Sequence, residues 1–307
     1  NISRRWRSFP VDLRDAYFGA LAEVAIKDDR VVFLTNDFEV FSLKGFKEAF
    51  PKRHINVGVA EQNMINMAAG LAWAGKRPIV FGMCNFVTLR CFEQIKLQVA
   101  CMNLPVTIVG VGPGFSFNFD GPSHHAISDM ALMATLREMT IWNPSDATTA
   151  ALLGNEIANH PTYIRIDKGD FPENDANVLR RFTILRDPSL RPTLVTTGYM
   201  TERCKSIAHE LNLGLISVAQ IKPFPRELGN ILRCAGHPIV VDDSHAGSPL
   251  AFEVANAFAG DNMRWSAFSL VSLENKHIFD FGDREFLLSQ HGMDIKALYN
   301  KISYECP

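Results

Sequence analysis

Short apolar runs rich in β-branched residues alternate with segments of helical periodicity, and this alternation limits the possible folds more than any other feature. It is typical of a doubly wound parallel sheet and not of a sandwich or a helical bundle. Six predicted strands, most of them separated by a predicted helix, form a first series at residues 31–35, 55–59, 78–82, 106–111, 139–142 and 162–166. We therefore expect one complete α/β domain in the first half of the chain.

A second α/β series follows a stretch without periodicity. Residues 170–175 lose the pattern, and the segment up to Pro192 is mixed and punctuated by prolines, as a linker would be. The chain has 307 residues, 47% of them hydrophobic, which is enough for two domains with separate cores. We predict two doubly wound α/β domains, residues 1–175 and 192–307, and a linker at 176–191, with later strands at 193–198, 215–219, 238–242 and 265–270.

Charge, hydropathy and cysteine content exclude several classes of protein. A net charge of -2 and a pI near 6.5 provide no basic field for nucleic acid. No apolar run approaches the roughly 20 residues that cross a bilayer, and the first residues lack the apolar core of a signal peptide, so we predict a cytoplasmic protein. The six cysteines form no Cys-x-x-Cys pair, and we interpret them as reduced structural thiols.

One carboxylate, Glu61, stands between a predicted strand and an amphipathic helix, in the segment NVGVAEQN at residues 56–63. Ligands of open α/β folds bind outside the carboxyl ends of the strands, and an acid in a first helical turn also suits the positive end of the helix dipole. Two interpretations follow from this position. Glu61 is either a residue chosen for chemistry or only an acid that stabilises a helix start.

A glycine-containing loop at residues 110–125, GVGPGFSFNFDGPSHH, is too elaborate for a simple connection. Its glycines permit close backbone approach, and Asp120, His124 and His125 bring an acceptor and two titratable rings together. Loops on rigid scaffolds carry function disproportionately. The alternative is a surface turn with polar histidines. A zinc site is disfavoured because no third ligand stands at suitable spacing.

Four motifs in order resemble the pyrimidine-binding domain of transketolases and their deoxyxylulose-phosphate synthase relatives: GVAEQN at 58–63, NFVTLRCFEQI at 85–95, DGPSH at 120–124 and NPSD at 143–146. The remainder, with TTGYM at 196–200, IKPF at 221–224 and VVDDSH at 240–245, is similar to the carboxy-terminal domain of the same family. The resemblance covers nearly the whole chain. It implies dependence on thiamine diphosphate.

The resemblance implies a role for three residues at the cofactor. Glu61 would be catalytic, because its carboxyl group would hydrogen-bond the cofactor's pyrimidine ring and drive its activating tautomerisation. Burial between subunits would favour a protonated Glu61. Phe86 would pack on the face of the pyrimidine, and Arg90, which matches the family's arginine four residues before Gln94, would bind the cofactor. The alternative for Phe86 is an ordinary core phenylalanine.

The resemblance also implies substrate contacts. Asp120 and His124 match positions that contact sugar hydroxyls, and His124 is the second residue that we expect to be catalytic. Arg165 and Lys168 resemble the segment that reaches a substrate phosphate, although Arg165 could instead pair with an acid at a domain edge. His125 has no firm family counterpart.

The residues before Asp120 depart from the family pattern. Family members usually carry small residues and a glutamate there, whereas this chain has the bulkier run FSFNF at 115–119. The substrate therefore need not be a standard pentose phosphate. A modified, branched or unphosphorylated sugar is an open alternative.

The sequence contains no Gly-Asp-Gly motif, which in the amino-terminal domain of full-length transketolases holds magnesium and the cofactor diphosphate together with a later Asn. The resemblance is then to the second subunit of a split transketolase. It implies no metal ligand in this chain, a separate diphosphate-binding partner subunit that supplies the magnesium site, and a heterotetramer with two copies of each chain. A fragment of a longer chain is the alternative.

The resemblance implies a transferase that moves a two-carbon ketol unit from a ketose donor, phosphorylated or not, to an aldose. Two other functions stay open. One is another thiamine-diphosphate activity, as in the β subunit of a 2-oxo-acid dehydrogenase or a deoxyxylulose-phosphate-synthase-like carboligase. The other is a non-catalytic assembly subunit. The helix expected at residues 61–74, rich in Met and Ala, suits a subunit interface, although core packing explains it nearly as well.

Overall fold

The computed structural model describes residues 11–173, 179–235, 237–245, 247–259 and 268–306. The chain divides into two compact units, one formed by residues up to 112 and 132–179, the other by residues 113–131 and the chain from 180 onward. Both are built from parallel strands and helices, which confirms the α/β fold class. The predicted domain boundaries stay a prediction. Residues 113–131, which that prediction placed in the first domain, pack with the second unit.

The first unit contains a parallel sheet whose six strands correspond to the six predicted runs. Their order across the sheet is β6-β7-β5-β4-β2-β3, and each neighbouring pair is parallel. A short antiparallel pair, β1 with β8, lies apart from this sheet. The strands are β1 (Val11–Asp12), β2 (Val31–Thr35), β3 (His54–Asn56), β4 (Arg77–Met83), β5 (Thr107–Val111), β6 (Thr140–Trp142), β7 (Thr162–Ile166) and β8 (Asp170–Phe171).

Helices follow most of these strands, as a parallel sheet requires. They are α1 (Leu13–Lys27), α2 (Leu43–Ala49), α3 (Glu61–Trp73), α4 (Cys84–Val87), α5 (Phe92–Gln94), α6 (Asp129–Ala134) and α7 (Ala147–Asn155). A 3-10 turn at Leu89–Cys91 and a π-helical segment at Ile95–Ala100 flank α5. Asp146, the last residue of the NPSD motif, caps α7 by accepting a hydrogen bond from the backbone N–H of Thr149 at 2.7 Å.

The second unit has a five-stranded sheet with the order β14-β13-β10-β11-β9. All neighbouring pairs are parallel except β9 with β11. The predicted strand at 265–270 begins outside the described residues. The strands are β9 (Phe182–Arg186), β10 (Thr193–Thr196), β11 (Gly214–Val218), β12 (Gln220–Lys222), β13 (Pro238–His245) and β14 (Ser269–Leu273), and the helices are α8 (Tyr199–Glu210), α9 (Arg226–Ala235), α10 (Pro249–Ala259), α11 (Arg284–Gln290) and α12 (Ile295–Tyr304).

Each unit has its own apolar core. In the first, the ring of Phe18 on α1 meets those of Phe33 and Phe81 edge-on, at centroid distances of 5.6 and 4.8 Å. In the second, β10, β11 and β13 pack against helices α8, α11 and α12, and the buried ring of Phe115 joins the same core. Phe115 therefore fixes one end of the glycine-containing loop to the second unit. Within the part of the chain that the structure describes, no helix is long and apolar enough to cross a bilayer.

Candidate active site

Two polar side chains meet at the carboxyl ends of strands β2 and β3. Asn36 directly follows β2, and Glu61 opens helix α3 a few residues after β3. Because these strands are parallel neighbours, their carboxyl ends lie at the same edge of the sheet. Asn36 Nδ2 donates a hydrogen bond of 2.8 Å to Glu61 Oε1, and both residues are buried, Glu61 being only 4% exposed. Glu61 is not the cap of α3, since Ala60 occupies that position.

Strand β4 brings the other two predicted cofactor residues to the same place. The chain leaves β4 through the short helix α4, which carries Phe86, and the following 3-10 turn carries Arg90. Arg90 Nη1 donates a hydrogen bond of 2.9 Å to Glu61 Oε1. Its guanidinium carbon lies 3.9 Å from the centroid of the Phe86 ring, a cation–π arrangement. The structure thus brings Glu61, Phe86 and Arg90 into one cluster.

Burial and hydrogen bonding act on the pKa of Glu61 in opposite directions. Burial acts to raise the pKa of this carboxyl group, as expected. Hydrogen bonds from Asn36, from backbone N–H and from Arg90, together with the Arg90 charge, outweigh burial, so the pKa lies below its ordinary value. In this chain alone Glu61 is therefore a carboxylate at neutral pH, and the protonated form expected on burial between subunits stays a prediction.

Asn36 is the residue of this cluster that the sequence analysis missed. Its Oδ1 atom is buried and has no hydrogen-bond partner among the described residues. Gly82 on β4 makes room for it, because a Cβ atom there would lie 2.7 Å from Asn36 Oδ1 and 2.7 Å from Val87 Cγ1. The available signal was a polar Asn-Asp pair directly after a buried strand, at the sheet edge where ligands bind.

The predicted substrate residues Asp120 and His124 lie together on a loop of the second unit. The backbone groups of Gly114 and Ala126 pair across its base, with N–O distances of 2.8 and 3.0 Å. Asp120 precedes a 3-10 turn at Gly121–Ser123 and is exposed, while His124 ends that turn and is half-buried. Ser123 Oγ lies 2.9 Å from His124 Nδ1, which orients the imidazole ring.

Arg165 and Lys168 occupy the end of β7 and the residues after it. Arg165 is fully buried, and Lys168 is half-buried. The phosphate contact predicted for these residues stays a prediction, and the burial of Arg165 counts against it. Among the described residues, no three His, Cys, Asp or Glu side chains are grouped so that they could hold a metal ion.

Comparison with known proteins identifies the family. The family described as transketolase, pyrimidine binding domain, matches residues 10–173, more than half of the chain. The 6-deoxy-6-sulfo-D-fructose transketolase subunit SqwH of Clostridium sp. (strain MSTE9) is 36% identical over 235 residues, which are 73% of this chain and 72% of that protein. This chain therefore belongs to the transketolase family, whose members depend on thiamine diphosphate.

Two further relatives show how the chain relates to whole enzymes of the family. A solved structure described as a split gene transketolase, inactive beta4 tetramer, has a TM-score of 0.82 and 27% identity, covering 96% of this chain and 97% of that one. The 1-deoxy-D-xylulose-5-phosphate synthase of Blochmanniella pennsylvanica is 27% identical over 94% of this chain, but the match covers only 47% of the synthase. The chain thus has the form of a carboxy-terminal-type subunit and spans about half of the synthase.

Proposed function

We propose that this chain is one subunit of a transketolase, which transfers a two-carbon ketol unit from a ketose donor to an aldose acceptor. The observation that carries the proposal is the cluster of Glu61, Asn36, Phe86 and Arg90 at the carboxyl edge of the first sheet. An acid, a buried amide and an aromatic ring at this edge match the needs of a flat heterocycle with both donors and acceptors. Membership of the family makes the pyrimidine of thiamine diphosphate that heterocycle.

The residues present fit the pyrimidine end of the cofactor. Glu61 would hold a ring nitrogen, Asn36 Oδ1 is an open acceptor for an amino group, and Phe86 and Arg90 would flank the ring. When bound, thiamine diphosphate supplies a carbon nucleophile for the sugar carbonyl. The contribution of this chain is to hold and polarise the pyrimidine. Glu61 would share a proton between one of its carboxylate oxygens and the ring nitrogen.

A partner subunit would complete the site. The sequence lacks the family's Gly-Asp-Gly motif, and a diphosphate with Mg²⁺ needs hard oxygen ligands. The relative SqwH is itself named a subunit, and the similar solved structure is a beta4 tetramer described as inactive. Both names support an assembly of several subunits. The arrangement that we propose is cytoplasmic and joins two copies of this chain to two copies of a diphosphate-binding chain. Asp120 and His124 would then contact the hydroxyl groups of the sugar.

The donor we favour is a ketose modified at its far end. The name of SqwH specifies a 6-deoxy-6-sulfo ketose, and its identity to this chain is 36%. The bulky run at 115–119 in this chain also differs from the small residues usual in transketolases of pentose phosphates. A sulfonate and a phosphate are both tetrahedral anions, so cationic side chains can bind either group.

Titration of the purified chain with thiamine diphosphate and Mg²⁺ tests the proposal, first alone and then with a diphosphate-binding partner subunit. We expect tight binding and turnover only in the complex. Xylulose 5-phosphate, 6-deoxy-6-sulfo-D-fructose and unphosphorylated ketoses serve as donors, and the preferred one identifies the substrate class. Turnover by this chain alone would show that no partner subunit is required. If the complex turns over no ketose donor, the proposed transketolase activity is wrong.

Release of carbon dioxide from a 2-oxo acid would favour the second candidate, a carboligase of the deoxyxylulose-phosphate synthase type. Its support is the 27% identity to the synthase over 94% of this chain. Full ketol transfer without carbon dioxide would exclude it.

A further inference from the structure

The loop that carries Asp120 and His124 is held by a second segment of the same unit. Residues 274–283, here called the clamp segment, connect β14 to α11. The side chain of Asn118 reaches this segment, where its Nδ2 donates a hydrogen bond of 2.6 Å to the backbone oxygen of Gly282. Asn118 stands two residues before Asp120, so this bond restrains the backbone from which Asp120 projects.

His125 restrains the other side of the loop, directly after His124. It is 3% exposed, and its ring meets the buried ring of Phe115 edge-on, with centroids 5.0 Å apart at 80°. The backbones of Asn118, on the loop, and of Ile278, in the clamp segment, face the same imidazole closely enough to act on its pKa. Burial, the larger effect, lowers the pKa of His125, so the ring is neutral at neutral pH and acts by packing against its neighbours.

The packing continues beyond His125 to helix α11. Phe115 also contacts His291, the residue after α11, whose ring lies 5.6 Å away at 36°. His291 Nε2 lies 3.3 Å from Asp280 Oδ2, and Asp280 belongs to the clamp segment. A continuous set of contacts therefore runs from His125 through Phe115 and His291 back to the segment that binds Asn118.

The base of the loop is fixed independently. Gly114 pairs with Ala126 and adopts a φ of +55°, and a Cβ atom at Gly114 would come within 2.5 Å of Asp243 Oδ2. Only glycine both adopts this positive φ and leaves room for Asp243 without strain. In the part of the chain that the structure describes, the tip at residues 117–124 has no such backbone pair across the loop. Asn118 connects it to Gly282, and the ring of Phe117 meets that of His124 edge-on at 6.1 Å.

We propose that Asn118 and His125 are positioning residues for sugar recognition: together with the clamp segment they hold the orientation of Asp120 and His124. The inference rests on the proposed function for its substrate. Two side chains on a glycine-containing loop recognise one configuration of a sugar only if their backbone is held to within a fraction of an ångström. Neither positioning residue needs to touch the sugar.

Hydrogen exchange of the full chain alone is the first test, because it requires neither cofactor nor partner. We compare Asn118→Ala, His125→Phe and His125→Gln with two matched controls on exposed helix faces, Asn300→Ala and His209→Gln. Deuterium uptake in peptides covering 113–126 should rise in Asn118→Ala and His125→Phe. It should rise less in His125→Gln, which retains an N–H donor, and stay unchanged in both controls. Equal uptake in wild type and in Asn118→Ala and His125→Phe would overturn the proposal.

Kinetics in the complex with the diphosphate-binding subunit give the second readout, with the ketose donors named above. For Asn118→Ala and His125→Phe we expect kcat/KM to fall by about 10²-fold, mainly through KM for the sugar. The Kd for thiamine diphosphate should not change, and His125→Gln should recover part of the loss. A fall in cofactor affinity, or no change in KM, would contradict positioning of the sugar residues. A wild-type complex without ketol transfer would instead overturn the proposed function, and increased loop exchange would still show that these residues hold the loop.

Discussion

Arg90 Nη1 and Asn36 Nδ2 both donate to the same oxygen of Glu61, Oε1, at 2.9 and 2.8 Å. The two donors differ in burial: Asn36 is enclosed, whereas the Arg90 side chain is 42% exposed. The amide therefore holds the carboxylate from the interior, and the guanidinium covers it from the solvent side. This difference predicts unequal effects when each donor is removed.

Replacing Glu61 by Gln should abolish turnover while leaving the fold intact. The amide keeps the size of the side chain but loses the carboxylate that polarises the pyrimidine, and loss of one acid–base group typically costs at least about 10²-fold in rate. Turnover of the complex and the thermal unfolding curve of the chain are measured together. Glu93→Gln, an exposed position in the neighbouring helix α5, is the matched control and should keep full activity. Substantial activity in Glu61→Gln would refute the catalytic assignment.

Asn36→Ala should lower the free energy of unfolding by about 1–3 kcal/mol at pH 7, because it leaves a buried carboxylate with one donor fewer. The effect should depend on pH. The folded pKa of Glu61 lies below its ordinary value, so the stability that it contributes is present above the unfolded pKa of about 4.3. That stability disappears as the pH falls through the lower, folded pKa.

Urea unfolding of wild type and Asn36→Ala between pH 7 and pH 3 measures this dependence. The difference between the two proteins should be largest at neutral pH and shrink below about pH 4. Asn300→Ala, on an exposed helix face, should change stability by no more than about 0.5 kcal/mol at either pH. A difference that grows on acidification would show that Asn36 favours the protonated form of Glu61.

Arg90→Met should raise the pKa of Glu61 toward its ordinary value with little effect on stability. The Arg90 charge and hydrogen bond both lower that pKa, but an ion pair open to solvent contributes only about 0–1 kcal/mol. Carboxyl carbon NMR of labelled glutamate follows the titration of Glu61. Arg30→Met removes a comparable exposed pair with Asp28 and should leave Glu61 unchanged. If the pKa of Glu61 is the same in Arg90→Met as in wild type, Arg90 does not interact with Glu61.

Gly82→Ala should destabilise the first unit and displace Asn36 from Glu61. The added methyl group would lie 2.7 Å from Asn36 Oδ1 and from Val87 Cγ1, and such overpacking typically costs about 1–3 kcal/mol. The matched control is Gly19→Ala on helix α1, where a Cβ atom meets no atom within 4 Å. This control should stabilise the chain by about 0.5–1 kcal/mol. Equal unfolding curves for the two variants would contradict the close packing of Gly82.

The local sequence pattern was sufficient to predict most of the strands and part of the candidate site. The runs at Val31–Thr35 and Thr162–Ile166 were predicted at their observed bounds because polar residues or a proline flank each buried stretch. Residues 89–102 have helical periodicity, but the structure has a 3-10 turn, a short helix and a π-helical segment there. Helical periodicity alone does not distinguish these forms.

Residues whose role depends on topology could not be predicted. Asn36 meets Glu61 only because β2 and β3 are neighbours, and nothing in the order of the strands along the chain fixes that pairing. Phe115 and Asn118 bind partners more than 160 residues away in sequence, as the Asn118 to Gly282 hydrogen bond shows. Asp120 and His124 could be identified by their motif, whereas the contacts that hold their loop come from residues distant in sequence.

Trp73→Glu should weaken self-association of the chain. Trp73 is 71% exposed at the end of α3, and with Gly70, Met102 and Leu104 it lines an open depression of about 420 Å³. Large exposed aromatic side chains beside small residues are typical of interfaces, and a buried charge there is costly. Size-exclusion chromatography with light scattering should show a shift toward monomer. Tyr304→Glu, an 89% exposed aromatic of the second unit, is the control and should leave the mass unchanged. An unaltered mass in Trp73→Glu would exclude this face of α3 as the contact between copies.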